Sequence, residues 1–368
     1  MFVNLSEEQA RMGYEVHVIA RRSRGQLPRE TVNGVEVHRV SSPYNFTALE
    51  LSMRLTRGEK DWVLHPHATS GIFLKLTHRW IPTPLVCHSH GTSRSHEAPA
   101  SMGGETLITH SGHGIAFHVL RERMLWSSAD RLLVVSRAVK DDVTRFYGLD
   151  PGRVRVVYNG VDTELFSPGK GGPLPAQVEG LAGKRLILFV GHFGFRKGII
   201  FAIRAMRQVR AEFPDAHLLC IGGTPAWMGK NDYKQMLRAE AQRNGVEDCV
   251  TLLDAVRNEE LVEFYRRSEV FVLPSYYEAF SKVAAEAMAC GRPVVATRTG
   301  ALPELVSDGE SGFLVSFGST AAISERLIRL LGDGALRAAM GKRGRETIVS
   351  QFTWRKVAER TRDVYNEL

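Results

Sequence analysis

Phe271–Thr299, FVLPSYYEAFSKVAAEAMACGRPVVATRT, reads as strand, loop, helix, glycine stop and second strand in quick succession. Phe271 to Pro274 is a short apolar run closed by proline, the pattern of a strand buried on both faces. Phe280 to Cys290 is rich in Ala, Met, Val and Glu and stops at Gly291, as a helix does. Pro293 to Thr297, with Val294 and Val295 inside, is the next strand. Neighbouring strands joined through a helix run parallel, and a parallel sheet needs helices on both faces. This one unit therefore commits the chain to an open α/β sheet. It also carries Glu278 and Glu286, separated by seven residues. Glu278 falls on the loop at the carboxyl end of a strand, where such sheets bind ligands, and Glu286 about two turns into the helix. An ionised carboxylate at such a place accepts a bidentate pair of hydrogen bonds from hydroxyls.

The same alternation runs along the whole chain. Strands are expected at Glu15–Ala20, Val35–Val40, Trp62–His65, Leu85–His88, Arg131–Val135 and Val154–Tyr158 in the first half. The second half supplies Leu186–Val190, His217–Ile221, Val250–Leu253, Val270–Leu273 and Val294–Ala296. The Gly/Pro-rich stretch Ser167 to Gly183 reads as the connection between two domains, 1–170 and 184–350. A length of 368 residues suits two cores, and the closing stretch 351–368 has a helical pattern. Asn159-Gly160-Val161-Asp162 reads as a turn.

The segment holding Glu278 and Glu286 resembles the E-x7-E signature of the retaining glycosyltransferases of the GT-B fold, family 4 in particular. The resemblance covers positions 2 to 368, closely from 129 onward and weakly between 42 and 118. It implies two Rossmann-like domains facing a cleft, with the C-terminal helix crossing back to the first domain. It also implies that Glu278 contacts the transferred sugar and Glu286 the nucleotide ribose. Phe189-Val190-Gly191-His192-Phe193-Gly194-Phe195-Arg196-Lys197-Gly198 resembles the family's V-G-R-x-x-x-x-K-G pattern, whose basic pair clamps the donor diphosphate. Lys197 takes the lysine position; His192 stands where the arginine is usual, and Arg196 is the nearby guanidinium. Fixed cations suit that place because charge builds on the diphosphate as the glycosidic bond breaks.

Ala279-Phe280-Ser281 stands where family members often carry Gly-Phe-Gly, so the amides at a helix start are expected to face the donor there. Leu85-Val86-Cys87-His88-Ser89-His90-Gly91 resembles the family's T-x-H-G strand end, which puts His90 near the reacting centre. Thr251 to Val270 resembles the segment that reads the nucleotide base, near Val256. The implied reaction is retaining, metal-independent hexosyl transfer from a UDP-sugar or GDP-sugar to a glycan or lipid-linked acceptor, with no cofactor. One departure matters. Family members open with a strand and a glycine-rich loop, whereas this chain starts inside the helix that follows, Phe2 to Met12. The first strand of the N-terminal domain is thus expected to be missing, and a non-catalytic protein that binds nucleotide sugar or a partner is the alternative reading.

Other classes fit less well. No run of about 18 apolar residues exists to span a bilayer, and the N-terminus lacks the parts of a signal peptide. Cys87, Cys220, Cys249 and Cys290 are far apart, as reduced thiols of a cytoplasmic protein would be. The net charge of +8 favours anionic partners, yet no aromatic-interleaved basic run points to nucleic acid. Arg21, Arg22 and Arg24, and Phe73-Leu74-Lys75-Leu76-Thr77-His78-Arg79-Trp80, are the candidates for peripheral contact with a cytoplasmic membrane face. Nine of the 13 histidines fall between His65 and His118, including His65-Pro66-His67 and His88-Ser89-His90. Without H-E-x-x-H, a cysteine pair or D-x-D they are read as cleft lining, with no metal. A dinucleotide-dependent oxidoreductase fails because no G-x-G-x-x-G follows a strand. A nucleotide-sugar epimerase is a minor rival.

Overall fold

Strands and helices alternate as the periodicity requires. The structure, a computed structural model, describes residues 2–41, 46–56, 61–67, 83–93, 101–102, 105–106, 112–172, 176–223 and 232–368. In chain order the elements of the first half are α1 (Phe2–Arg11), β1 (Val16–Arg21), β2 (Arg29–Val32), β3 (Val35–Val40), α2 (Phe46–Leu55) and β4 (Val86–Ser89). There follow β5 (Ser101–Met102), β6 (Glu105–Thr106), α3 (Gly112–Trp126), β7 (Arg131–Val134), α4 (Arg137–Tyr147) and β8 (Val154–Val156). The second half holds β9 (Arg185–Val190), α5 (Ile199–Glu212), β10 (Ala216–Ile221), α6 (Asp232–Arg243), β11 (Val250–Leu253), α7 (Asn258–Arg267) and β12 (Val270–Leu273). It continues with α8 (Lys282–Ala289), β13 (Val294–Thr297), α9 (Leu302–Leu305), β14 (Gly312–Val315), α10 (Thr320–Gly332), α11 (Gly334–Gln351) and α12 (Trp354–Tyr365). The chain divides into two compact units, one of Met1–Glu97, Thr109–Gly160 and Trp354–Leu368, the other of Ala98–Ile108 and Val161–Thr353.

The second unit is built on a six-stranded sheet in the order β11-β10-β9-β12-β13-β14. Every pairing in it is parallel. From β9 the chain adds strands outward on one side, then returns to add β12, β13 and β14 on the other. The order therefore reverses between β9 and β12, and an open α/β sheet leaves a crevice beyond the strand ends at such a point. Strands β10, β12, β13 and β14 are buried along their whole length, as strands covered on both faces must be. β14 escaped the sequence reading because Gly312-Phe313-Leu314-Val315 is short and opens on glycine, a turn signal. Its ladder to β13 makes it a strand all the same.

In the first unit, β1, β3 and β2 form one sheet and β4, β7 and β8 another. Trp62–His65 was expected as a strand. Only isolated bridges form, Leu64 to Leu85 and His67 to His88, because Pro66 between them has no N–H to give a ladder. Among the described residues β1 and this segment share no ladder. Side chains meet instead: the Trp62 ring sits edge-on to His17 at 5.3 Å between centroids. α12 buries Trp354, Val357, Ala358 and Val364 in one core with Leu5, Val86, Leu133 and Val157. Gly160 is needed there, since a Cβ would meet the Trp354 indole at 2.4 Å.

All four cysteines are buried free thiols. Burial raises the pKa of each, to about 11 at Cys249 and about 12 at Cys290. No described helix is long and apolar enough to cross a membrane. Arg21, Arg22 and Arg24 are exposed, while Phe73–Trp80, His96 and His110 lie outside the described residues.

Candidate functional site

The loops leaving β9 and β12 carry most of the residues singled out by the sequence. After β9 the chain turns through Gly191-His192-Phe193-Gly194, anchored by the fully buried Phe193. One 3₁₀ turn, Phe195–Lys197, follows and ends at Gly198 with φ 62°. A Cβ at Gly198 would stand 1.9 Å from the Pro274 carbonyl oxygen, so only glycine lets the two loops approach this closely. The Tyr276 amide donates to the Arg196 carbonyl at 2.7 Å, tying the loops together across the switch point.

That approach brings Lys197 to Glu278. The ammonium Nζ lies 2.6 Å from Glu278 Oε1, and the Ser275 hydroxyl donates to the same oxygen at 2.7 Å. Glu278 is buried and Lys197 largely so, with side chains 7% and 13% exposed. The Glu278 carbonyl accepts from the Ala301 amide at 2.8 Å, and Gly300, at φ 50°, makes room for that contact. An ammonium has three donors, so one bond to Glu278 leaves two directions for an anionic ligand.

Helix α8 begins at Lys282, two residues later than the sequence reading placed it, because Ser281 serves as its N-cap. The Ser281 hydroxyl accepts from the Ala284 amide at 3.4 Å. Ala279 and Phe280 thus belong to the loop rather than to the helix start, and the first helical amides are those of Lys282 and Val283. The Phe280 ring packs on Phe352 at 5.8 Å between centroids. The later start also puts Glu286 about one turn into the helix, roughly 6 Å along its axis, not two turns.

Glu286 is buried and accepts a hydrogen bond from the Tyr265 hydroxyl at 3.1 Å. Lys282 Nζ is 4.0 Å away. Burial outweighs both partners and pushes the Glu286 carboxyl up to about 7. Val256 is partly buried on the loop after β11, at the same end of the parallel sheet. His192 is exposed and Arg196 partly buried.

His90 follows β4 in the other unit. Its Nε2 lies 3.2 Å from His67 Nδ1, and burial lowers its pKa to about 4. His90 is therefore neutral near pH 7. The fold gathers Arg196, Lys197, Val256, Glu278, Ala279, Phe280, Ser281 and Glu286 at one end of one sheet; His90 stands at a strand end of the first unit. Sequence reasoning missed Ser275 and Tyr265. Ser275 was within reach, as the polar residue next after the strand-ending Pro274. Tyr265 gave no signal, being 21 residues from its partner on another helix.

The family model described as Glycosyl transferases group 1 matches residues 176–347, and that described as Glycosyltransferase Family 4 matches residues 1–165. D-inositol 3-phosphate glycosyltransferase of Streptomyces bingchenggensis is 32% identical, over 99% of this chain and 83% of its own. Alpha-maltose-1-phosphate synthase of Mycolicibacterium smegmatis is 31% identical, over 78% of this chain and 73% of its own. Among solved structures, sucrose-phosphate synthase from Thermosynechococcus elongatus aligns with a TM-score of 0.80 at 24% identity, covering 100% of this chain and 92% of that one. Anabaena Alr3699/HepE in complex with UDP gives 0.74 at 17%, covering 96% and 100%. With both halves matched by family models and a relative 32% identical over nearly the whole chain, the chain belongs to the group 1, family 4 glycosyltransferases and has their GT-B fold.

Proposed function

We propose that the protein transfers a hexosyl unit from a UDP-sugar or GDP-sugar to a hydroxyl of a glycan or lipid-linked acceptor, with retention of configuration and no metal ion in the transfer step. The Lys197–Glu278 pair at the switch point carries this reading. Lys197, with Arg196 beside it, holds the diphosphate and stabilises its charge as the sugar departs. Glu278 accepts from the sugar hydroxyls and Glu286 from the ribose. The amides from Ala279 to Ser281 line the diphosphate, and the loop at Val256 meets the base. A phosphate oxygen of the donor takes the proton of the acceptor hydroxyl, and neutral His90 hydrogen-bonds the sugar. The reaction is placed in the cytoplasm, and the net charge of +8 favours work against an anionic membrane face.

Calorimetric titration of the full chain with UDP, GDP and their sugar conjugates tests the donor site. One nucleotide should bind at one per chain, and Glu286→Ala should weaken it about 10- to 100-fold, the cost of losing hydrogen bonds to a charged group. Binding by none of the panel would sink the donor assignment. A second reading is donor binding without catalysis. Tight binding with neither transfer nor donor hydrolysis, against a panel of glycans, lipid-linked sugars and phosphorylated polyols, would select it.

The Glu286 carboxyl supplies a pH test. It ionises at about 7 in the free protein, and ribose hydroxyls donate best to the ionised form. Nucleotide affinity should therefore be level above pH 7 and fall as pH drops through it. Glu286→Gln, which cannot titrate, should flatten that slope; an unchanged slope in the variant would remove Glu286 from the role.

A further inference from the structure

The histidine pairs of the first unit form a grid. His65 and His67 alternate on one strand-like segment, His88 and His90 on its parallel neighbour, with His67 opposite His88. Residues two apart on a strand share a face, so all four imidazoles point the same way. Their rings stack at 4.5 Å for His65–His67 and for His88–His90, and at 5.0 Å for His67–His88. His88 is 2% exposed, and neither of its ring nitrogens has a hydrogen-bond partner; His65 Nε2 has none either. Leaving a buried polar atom without a hydrogen bond is costly, so three of them in one cluster call for a ligand. A second histidine group, His17 and His38 with Glu36, already satisfies itself: His17 bonds His38 and Glu15, both at 2.9 Å.

We propose that His65, His67 and His88 form a binding site for one divalent transition-metal ion of the zinc class. Each offers one ring nitrogen, and the three atoms lie within 4.8 Å of one another. Zinc bonds imidazole at about 2.0–2.1 Å, which sets tetrahedral ligands about 3.4 Å apart, so small side-chain rotations close the site. The outer shell is present. His65 Nδ1 is 2.5 Å from the Tyr365 hydroxyl, which also accepts from Gln9 Nε2 at 3.2 Å. His67 Nδ1 faces His90 Nε2 at 3.2 Å. With these Nδ1–H groups donating, the Nε2 atoms of His65 and His67 turn to the metal, and water takes the fourth position. Burial keeps His65, His67 and His88 neutral at pH 7, the form that ligates. The ion clamps the Leu64–His67 segment to β4, whose Val86 and His88 amides also join the two by donating to the Leu64 and Pro66 carbonyls.

The test uses the full chain, stripped with a chelator and then titrated with zinc by calorimetry and with cobalt(II) by visible absorption; no donor or acceptor is needed. One ion per chain, tetrahedral cobalt bands and a raised Tm are expected. His65→Gln and His88→Gln should each lose the bands and at least tenfold in zinc affinity, whereas His17→Gln should keep both. His65 is only partly buried, so its variant stays informative if His88→Gln fails to fold. No stoichiometric binding, octahedral cobalt bands, or binding that survives both substitutions overturns the proposal.

Discussion

Lys197→Ala is expected to lower kcat about 10²–10³-fold, the loss seen when one fixed group that stabilises developing negative charge is removed. Two consequences separate it from an ordinary surface lysine. Its Nζ is 2.6 Å from a carboxylate that is itself buried, so truncation leaves Glu278 as an unpaired buried charge with only the Ser275 hydroxyl for company. Breaking such a pair from one side costs about 3–5 kcal/mol. Urea denaturation should therefore show a lower midpoint for Lys197→Ala. Adding Glu278→Gln removes the orphaned charge, so the double variant should regain much of the stability and none of the activity. A double variant no more stable than Lys197→Ala would show that the pair is not coupled in the fold. Full activity in Lys197→Ala would refute the diphosphate role.

Gly198→Ala is expected to cost about 2–4 kcal/mol, from the left-handed backbone and from the collision with Pro274. The added methyl would sit 1.9 Å from a backbone oxygen, so the β9 and β12 loops must part and Lys197 must leave Glu278. Activity and stability should fall together. Gly309→Ala is the control: φ is 79° there, yet nothing lies within 4 Å of the new Cβ, so only the smaller conformational penalty, about 1 kcal/mol, should appear. Equal losses at both positions, read from urea midpoints, would mean that backbone conformation and not loop packing governs Gly198.

Much of the fold could be read locally. Buried strands such as Leu186–Val190 and His217–Ile221 announce themselves as unbroken apolar runs and lie within the observed β9 and β10. The second unit's helices carry their own stop signals, as Gly291 does after α8. β2, β14, the Trp62–His65 strand and the start of α8 are among the points where the structure differs. β2, Arg29-Glu30-Thr31-Val32, is polar enough to read as loop and becomes a strand only by pairing with β3. Ser281 competes with the helix by capping it, which moved Glu286 from two turns in to one. The histidines were read as lining because spacing along the chain cannot show that the Leu64–His67 segment lies in parallel register with β4.

Periodicity and local chemistry, set within a few residues along the chain, fixed the α/β class, the parallel strands, and the residue types at Lys197, Glu278 and Glu286. Strand order is a long-range choice that no local pattern encodes. Putting β9 beside β12 brought a lysine within 2.6 Å of a glutamate 81 positions away, and burial raised the Glu286 carboxyl to about 7 against the pull of Lys282 and Tyr265. Contact and dielectric depend on what folds over a group, so the tertiary structure alone decided them.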